Sequence, residues 1–204
     1  MIDLYSWSTP SGYKVHIMLE ETGLDYRLHP VDLGKGAQRT PEFLAINPIG
    51  KIPAMVDMDG PGGTRVTLFD SGAILLYLAE KSGRFLSEDP AERWRTISWL
   101  MFQQGGVGPI LGQTGYFINR APEPVPAAVE RFSHEAERLY REVDGRLAEA
   151  EFLGGDYSIA DIGCFPWMRM FGRFGVDIAE FPNVARWLDI ISARPAVERA
   201  LKLP

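Results

Sequence analysis

The run Ser6-Trp7-Ser8-Thr9-Pro10-Ser11-Gly12 brings several hydroxyls to the point where a short apolar stretch gives way to a helical pattern. A helix N-terminus presents free backbone N–H groups and the positive end of the helix dipole. A hydroxyl at that end can hold a thiolate by donating a hydrogen bond. Ser and Thr are also preferred helix caps, and capping alone is the commoner use of such a turn. A second cluster is Gly50-Lys51-Ile52-Pro53-Ala54. A cis bond before Pro53 would turn the chain and expose the Ile52 backbone to an extended peptide ligand, with Lys51 near a carboxylate; a trans proline opening a strand is the ordinary alternative. A third is Phe69-Asp70-Ser71-Gly72 at a strand-to-helix junction. Asp70 can accept from an ammonium group, while Ser71 and helix N–H groups can hold a carboxylate, the two charges of an α-amino acid head. Here too an N-cap explains the same residues. A fourth, Ser158-Ile159-Ala160-Asp161, has capping-box spacing and reads as a structural helix start.

Other chemistries are excluded by what the chain lacks. Its one cysteine, Cys164, cannot form an internal disulfide or a CxxC redox pair. It lies among Ile162, Phe165 and Trp167, the setting of an inert buried thiol. The three histidines, His16, His29 and His134, are scattered without metal-ligand spacing, so no metal is expected. With 21 Lys+Arg against 27 Asp+Glu, the net charge of −6 offers no general attraction to nucleic acid or an anionic membrane. No signal peptide and no apolar run of about 18–20 residues is seen. A reducing, cytoplasmic setting is expected.

The elements that must position these residues fall into two grammars. Up to Gly83, short strands at Ile2–Ser6, 26–32, 52–56 and Val66–Phe69 alternate with helical patterns. The helices are expected after Gly12, near Thr40-Pro41 and from Ser71, with Gly23 and Gly83 as stops. The order β-α-β-α-β-β-α predicts a small mixed sheet: a parallel first pair, joined by a right-handed crossover, and an antiparallel last pair. After a short connector at 84–90, residues 91–204 show helical periods alone. Trp94, Ile97 and Met101 share a helical spacing. So do Val129, Phe132, Ala136, Leu139, Val143 and Leu147, and again Val184, Trp187, Leu188 and Ile191. Trp94, Trp99 and Phe102 are expected in the core. The fold class is α/β followed by all-α, with a site-bearing domain at 1–83 and a helical domain at 91–204.

From end to end the chain resembles the glutathione transferases. The resemblance rests on K-I-P at Lys51 to Pro53, D-S-G-A-I-L-L-Y-L-A-E at Asp70 to Glu80, and the S-I-A-D box. It is closer to the bacterial nu class, which is related to the yeast prion-type nitrogen regulator. G-Y-K-V at Gly12 to Val15, V-D-L-G-K-G at Val31 to Gly36, P-E-F-L at Pro41 to Leu44 and G-G-V-G-P-I-L-G-Q at Gly105 to Gln113 carry that closer likeness. It implies a thioredoxin-like first domain with cis-Pro53, and glutathione as co-substrate without a metal. The Ile52 backbone would pair with the cysteinyl part, Asp70 and Ser71 would hold the γ-glutamyl head, and Lys51 and Gln38 would lie near the glycyl carboxylate. Thr9 would face the sulfur, and Arg131 would contact glutathione from the helical domain. Homodimers are implied as well. The class usually has T-P-N where this chain has Thr9-Pro10-Ser11, so Ser11 replaces an amide donor with a shorter one.

The resemblance implies that the glutathione thiolate is the nucleophile. Disulfide reduction would be the main reaction, with some conjugation or peroxidase activity. A non-catalytic, glutathione-binding regulatory protein on the same fold is the alternative, since fold does not fix function. The start of the chain directly at a strand, without a polar Asn-rich extension, favours the enzyme.

Overall fold

The computed structural model describes residues 1–204, which divide into two compact units. The first unit comprises Met1–Arg84 and Arg194–Pro204. Four strands, β1 (Ile2–Ser6), β2 (Tyr26–Pro30), β3 (Ala54–Asp57) and β4 (Val66–Phe69), form one sheet in the order β2-β1-β3-β4. β1 and β2 are parallel, with Ile2 opposite Tyr26 and Ser6 opposite Pro30. β3 is antiparallel to both β1 and β4. Its ladder starts at Ala54 rather than at residue 52, because Pro53 has no N–H to give. The β2 ladder likewise ends at Pro30, and Asp32 then caps a 3-10 turn by accepting from the amides of Gly34 and Lys35.

Successive strand side chains face opposite ways. Ile2, Leu4 and Ser6 of β1 are buried, while Asp3 and Tyr5 on the opposite face are partly open. Helix α1 (Pro10–Thr22) buries Val15, Ile17, Met18 and Leu19 and stops at Gly23, whose φ of 69° suits a residue without Cβ. The short α2 (Pro41–Leu44) is capped by Thr40 and sends Phe43 into a small core with Val31 and Ala54, against which Tyr5 and Ile52 pack. α3 (Ser71–Ser82) buries Ile74, Leu75 and Leu78 and packs against α1. Asp57, fully buried at the end of β3, holds α3 in register. It accepts from Tyr77 Oη at 2.7 Å and from Lys81 Nζ at 2.9 Å. Burial opposes its charge, but Tyr77, Lys81 and the Asp59 amide outweigh that and lower its pKa.

The second unit, Phe85–Ala193, is helical throughout: α4 (Pro90–Phe102), α5 (Gly108–Asn119), α6 (Pro126–Glu149), α7 (Ile159–Met168) and α8 (Pro182–Ser192). A five-residue π-helical turn, Gln103–Val107, joins α4 to α5. The glycine-rich segment after it is a packing device. Gly108 and Gly112 lie under the Trp167 ring and Gly115 under Phe174, so a Cβ at Gly115 would sit 3.2 Å from that ring. Asp161 of the capping box is fully buried and accepts from the Leu153 and Ser158 amides, Ser158 Oγ and Trp187 Nε1. Asp144 of α6 caps α8 through the amides of Asn183 and Val184.

Two expectations change. Trp94 and Met101 are exposed, at 66% and 46%; the buried residues of α4 are Thr96 and Leu100, on another face of the helix. The apolar spacing on α4 therefore marks an outward face. The last helix, α9 (Pro195–Ala200), belongs by its packing to the first unit rather than to the helical one. It lies on α1, with Arg194 paired to Glu21 at 2.5 Å and Arg199 to Glu20 at 2.7 Å.

Candidate functional site

Strand register brings the first-unit candidates together. Tyr5 pairs with Ala54, and Ala54 pairs with Phe69. The residues just beyond those pairs are Trp7 to Ser11, Ile52 and Pro53, and Asp70 and Ser71. All leave the same end of the sheet, from three adjacent strands. β2 ends there too, since Val31 N donates to Ser6 O at 2.8 Å, and the chain then runs on to Gln38. Thr9, Ser11, Gln38, Lys51, Ile52, Pro53, Asp70 and Ser71 therefore share one edge, although Thr9 and Ser71 lie 62 positions apart in sequence.

Each is held by local chemistry. Thr9 is the N-cap of α1, and its Oγ1 accepts from Gly12 N at 3.1 Å. That bond uses an oxygen lone pair, so capping and donation by the hydroxyl hydrogen are compatible. Ser11 is half-buried in the first turn. Gly12 allows α1 to begin so close to β1: a Cβ there would stand 2.1 Å from Trp7 O and 2.7 Å from Ser6 Oγ. The Ile52–Pro53 bond is cis, as the resemblance implied and against the trans default. Lys51 is exposed, Ile52 half-buried and Pro53 buried. Asp70 is the N-cap of α3 at φ 73°, a conformation uncommon outside glycine, and accepts from Gly72 N at 2.9 Å and Ala73 N at 3.3 Å. Gln38 sits in a 3-10 turn whose backbone carbonyl lies close against Gly50, and its amide oxygen is buried without a hydrogen-bond partner. Arg131 is exposed on α6 of the second unit, apart in sequence and in unit from the rest.

Two site-building residues escaped the sequence reading. Asn47, 2% exposed, donates to Lys51 O at 2.6 Å and accepts from Ile49 N at 3.0 Å. It clamps the loop that delivers Lys51 and Ile52. Lys14, also 2% exposed, donates from Nζ to Ser71 Oγ at 3.1 Å. The available signals were an Asn-Pro pair just before the K-I-P segment and a lysine beside the apolar run of α1 that includes Val15, Ile17, Met18 and Leu19.

Cys164 is buried within α7. No group of three or more His, Cys, Asp or Glu side chains is placed to hold a metal ion, and no helix is long and apolar enough to cross a membrane. This cysteine-free edge, framed by a cis-proline and two helix N-termini, matches a known family model. Residues 10–81 match the glutathione S-transferase N-terminal domain, and residues 109–195 match the C-terminal domain.

The chain belongs to the glutathione S-transferase family.

It is 52% identical over 203 residues to the disulfide-bond oxidoreductase YfcG of Escherichia coli K12, covering 98% of this chain and 94% of that protein. Among solved structures it is similar to a glutathione transferase from Pseudomonas putida with one glutathione disulfide bound per subunit. That likeness has a TM-score of 0.96 at 45% identity, over 100% of this chain and 91% of the other. A family member from Pseudomonas fluorescens, with two glutathione bound, gives 0.96 at 48% identity over 100% and 93%. Family membership places the thioredoxin-like sheet in the first unit and accounts for the helical second unit.

Proposed function

We propose that this glutathione transferase reduces disulfide bonds with glutathione, and that conjugation or peroxidase activity accompanies this as a lesser reaction. One observation carries the reading: a chain so similar to a disulfide-bond oxidoreductase has one cysteine, and that cysteine is buried. Reducing a disulfide takes two thiols, and this chain cannot present even one. Glutathione must therefore bring both. The first glutathione thiolate attacks one sulfur of the disulfide, and the other sulfur leaves as a thiolate that takes up a proton. A second glutathione thiolate attacks the glutathionyl sulfur of the mixed disulfide, forming glutathione disulfide and releasing the second thiol. Two thiols are oxidised, one disulfide is reduced, and the two thiol protons end on the products.

The work left to the protein is to hold glutathione and ionise it. A thiol of pKa about 8.5 is a few per cent ionised at neutral pH, and lowering that value by about two units needs roughly 2.7 kcal/mol of preference for the thiolate. The α1 N-terminus with Thr9, aided by Ser11, is suited to supply it through one hydroxyl donor and the helix dipole. Asp70 and Ser71 take the γ-glutamyl head. Ile52, ahead of Pro53, pairs its backbone with the cysteinyl residue, and Lys51 and Gln38 serve the glycyl end. Arg131 is assigned to glutathione on the family resemblance alone. The domain that binds glutathione is 1–83. A homodimer fits the exposed Trp94 and Met101 on α4, and a cytoplasmic setting fits a chain without disulfides.

The test is glutathione-dependent reduction of a small model disulfide, run beside conjugation of a chlorodinitrobenzene-type acceptor. Fast reduction with weak conjugation is expected. The reverse pattern would make it a conventional conjugating transferase, and glutathione binding without either reaction would make it a binding protein.

A further inference from the structure

Lys14 is among the largest fully buried side chains of the protein, yet it carries an ammonium group. Removing an ammonium from water is costly unless the site repays it. Lys14 sits in the second turn of α1 and reaches across to α3, where Nζ donates to Ser71 Oγ at 3.1 Å. An ammonium has donors only, so Ser71 Oγ must be the acceptor in this bond. Ser71 is the first residue of α3, directly after the Asp70 cap. The buried charge therefore lies beneath the positive end of a helix, at the sheet edge where the other candidate residues gather. An anion is the group whose binding such an arrangement improves.

We propose that Lys14 is a positioning residue for the carboxylate of the substrate's amino-acid head. It anchors the Ser71 side chain and adds positive potential under the α3 N-terminus. The inference rests on the glutathione reading above and deepens it: discrimination in favour of a γ-glutamyl α-carboxylate is assigned to a lysine outside direct contact with the ligand. Its contribution depends on the ligand's charge, and a purely structural lysine would have no such dependence.

Calorimetric binding of two ligands tests it: glutathione, and 4-aminobutyryl-cysteinyl-glycine, which is glutathione without the α-carboxylate. The unaltered protein should bind glutathione more tightly. Lys14→Met, which keeps length and loses charge, should cut that preference about tenfold and leave affinity for the analogue within about twofold. KM for glutathione should rise while kcat holds, the pattern of lost uniform binding. If Lys14→Met does not fold, Lys14→Gln carries the same comparison, retaining a donor without the charge. Equal losses for both ligands, or an unchanged preference in a variant with a native melting temperature, would overturn the proposal. Failure of the unaltered protein to bind glutathione would instead overturn the functional reading.

Discussion

Thr9 illustrates how one side chain can hold two jobs. Its oxygen accepts from Gly12 N and starts α1, while its hydrogen remains the donor proposed for the sulfur. Replacing Thr9 by Ala removes both. The cap contributes about 1 kcal/mol to stability, and loss of a hydrogen-bond donor to a charged thiolate, about 1.5–3 kcal/mol, costs roughly 10- to 100-fold in turnover. The expected result for Thr9→Ala is a kcat loss well beyond the change in glutathione affinity; unchanged turnover would remove Thr9 from the mechanism. Asn47 acts one step back. Asn47→Ala leaves Lys51 O and Ile49 N without their partner and should cost about 1–3 kcal/mol of stability. It should also weaken glutathione binding, with kcat at saturation less affected. A melt together with a glutathione titration separates the two effects, and tight binding by a destabilised variant would show that the loop holds its shape without the clamp.

At the scale of elements, the site depends on how α3 is seated. Ser71 and Asp70 begin that helix, and its far turns are pinned to β3 through Tyr77 and Lys81 on the buried Asp57. Asp57→Ala removes the buried acceptor shared by Tyr77 Oη and the exposed Lys81 Nζ, and loss of such charge-assisted hydrogen bonds costs about 1.5–3 kcal/mol. The variant should melt lower, and glutathione affinity should fall even where the protein stays folded, because the helix start moves with the helix. Affinity unchanged in a folded Asp57→Ala protein would mean that the α1–α3 packing alone sets the position of Ser71. Caps and stops of these helices were legible in the chain. Thr9, Thr40, Asp70 and Ser158 cap as expected, and Gly23 and Gly83 terminate, because each depends on residues within four positions.

Across the whole molecule, acid acts on the two units in opposite directions. In the first, burial lowers the pKa of His16 on α1 to about 4, partly offset by the Ala200 backbone and Glu20. Between pH 4 and 6.5 the unfolded chain takes a proton that folded His16 refuses. Stability on this account is full above 6.5 and is lost toward pH 4, by about 3 kcal/mol in all. In the second, burial raises the pKa of Asp161 to about 6 against the pull of its four hydrogen-bond donors. Between pH 3.8 and 6 the folded form is the one that binds the proton. Acid therefore strengthens that unit through Asp161, and the gain is lost as pH rises through 6. Hydrogen exchange corrected for intrinsic rates should show α1 amides opening more easily from pH 6.5 to 4, and α7 amides opening less. His16→Leu should abolish the α1 trend; if the trend persists, another group is responsible.

The sequence by itself determined the element types, the mixed sheet with its parallel and antiparallel pairs, the helix caps and the family. These are written in short-range patterns and in motifs whose order along the chain is itself the signal. Only the tertiary structure decided which face of α4 is buried, that α9 returns to lie on α1, and that Lys14 reaches Ser71. Each of those depends on a surface supplied by residues far away in the chain. An apolar stripe such as Trp94 and Met101 states that a face must be covered, but not by what. A lysine at residue 14 is an exposed charge until a helix that starts 57 residues later gives its ammonium a partner.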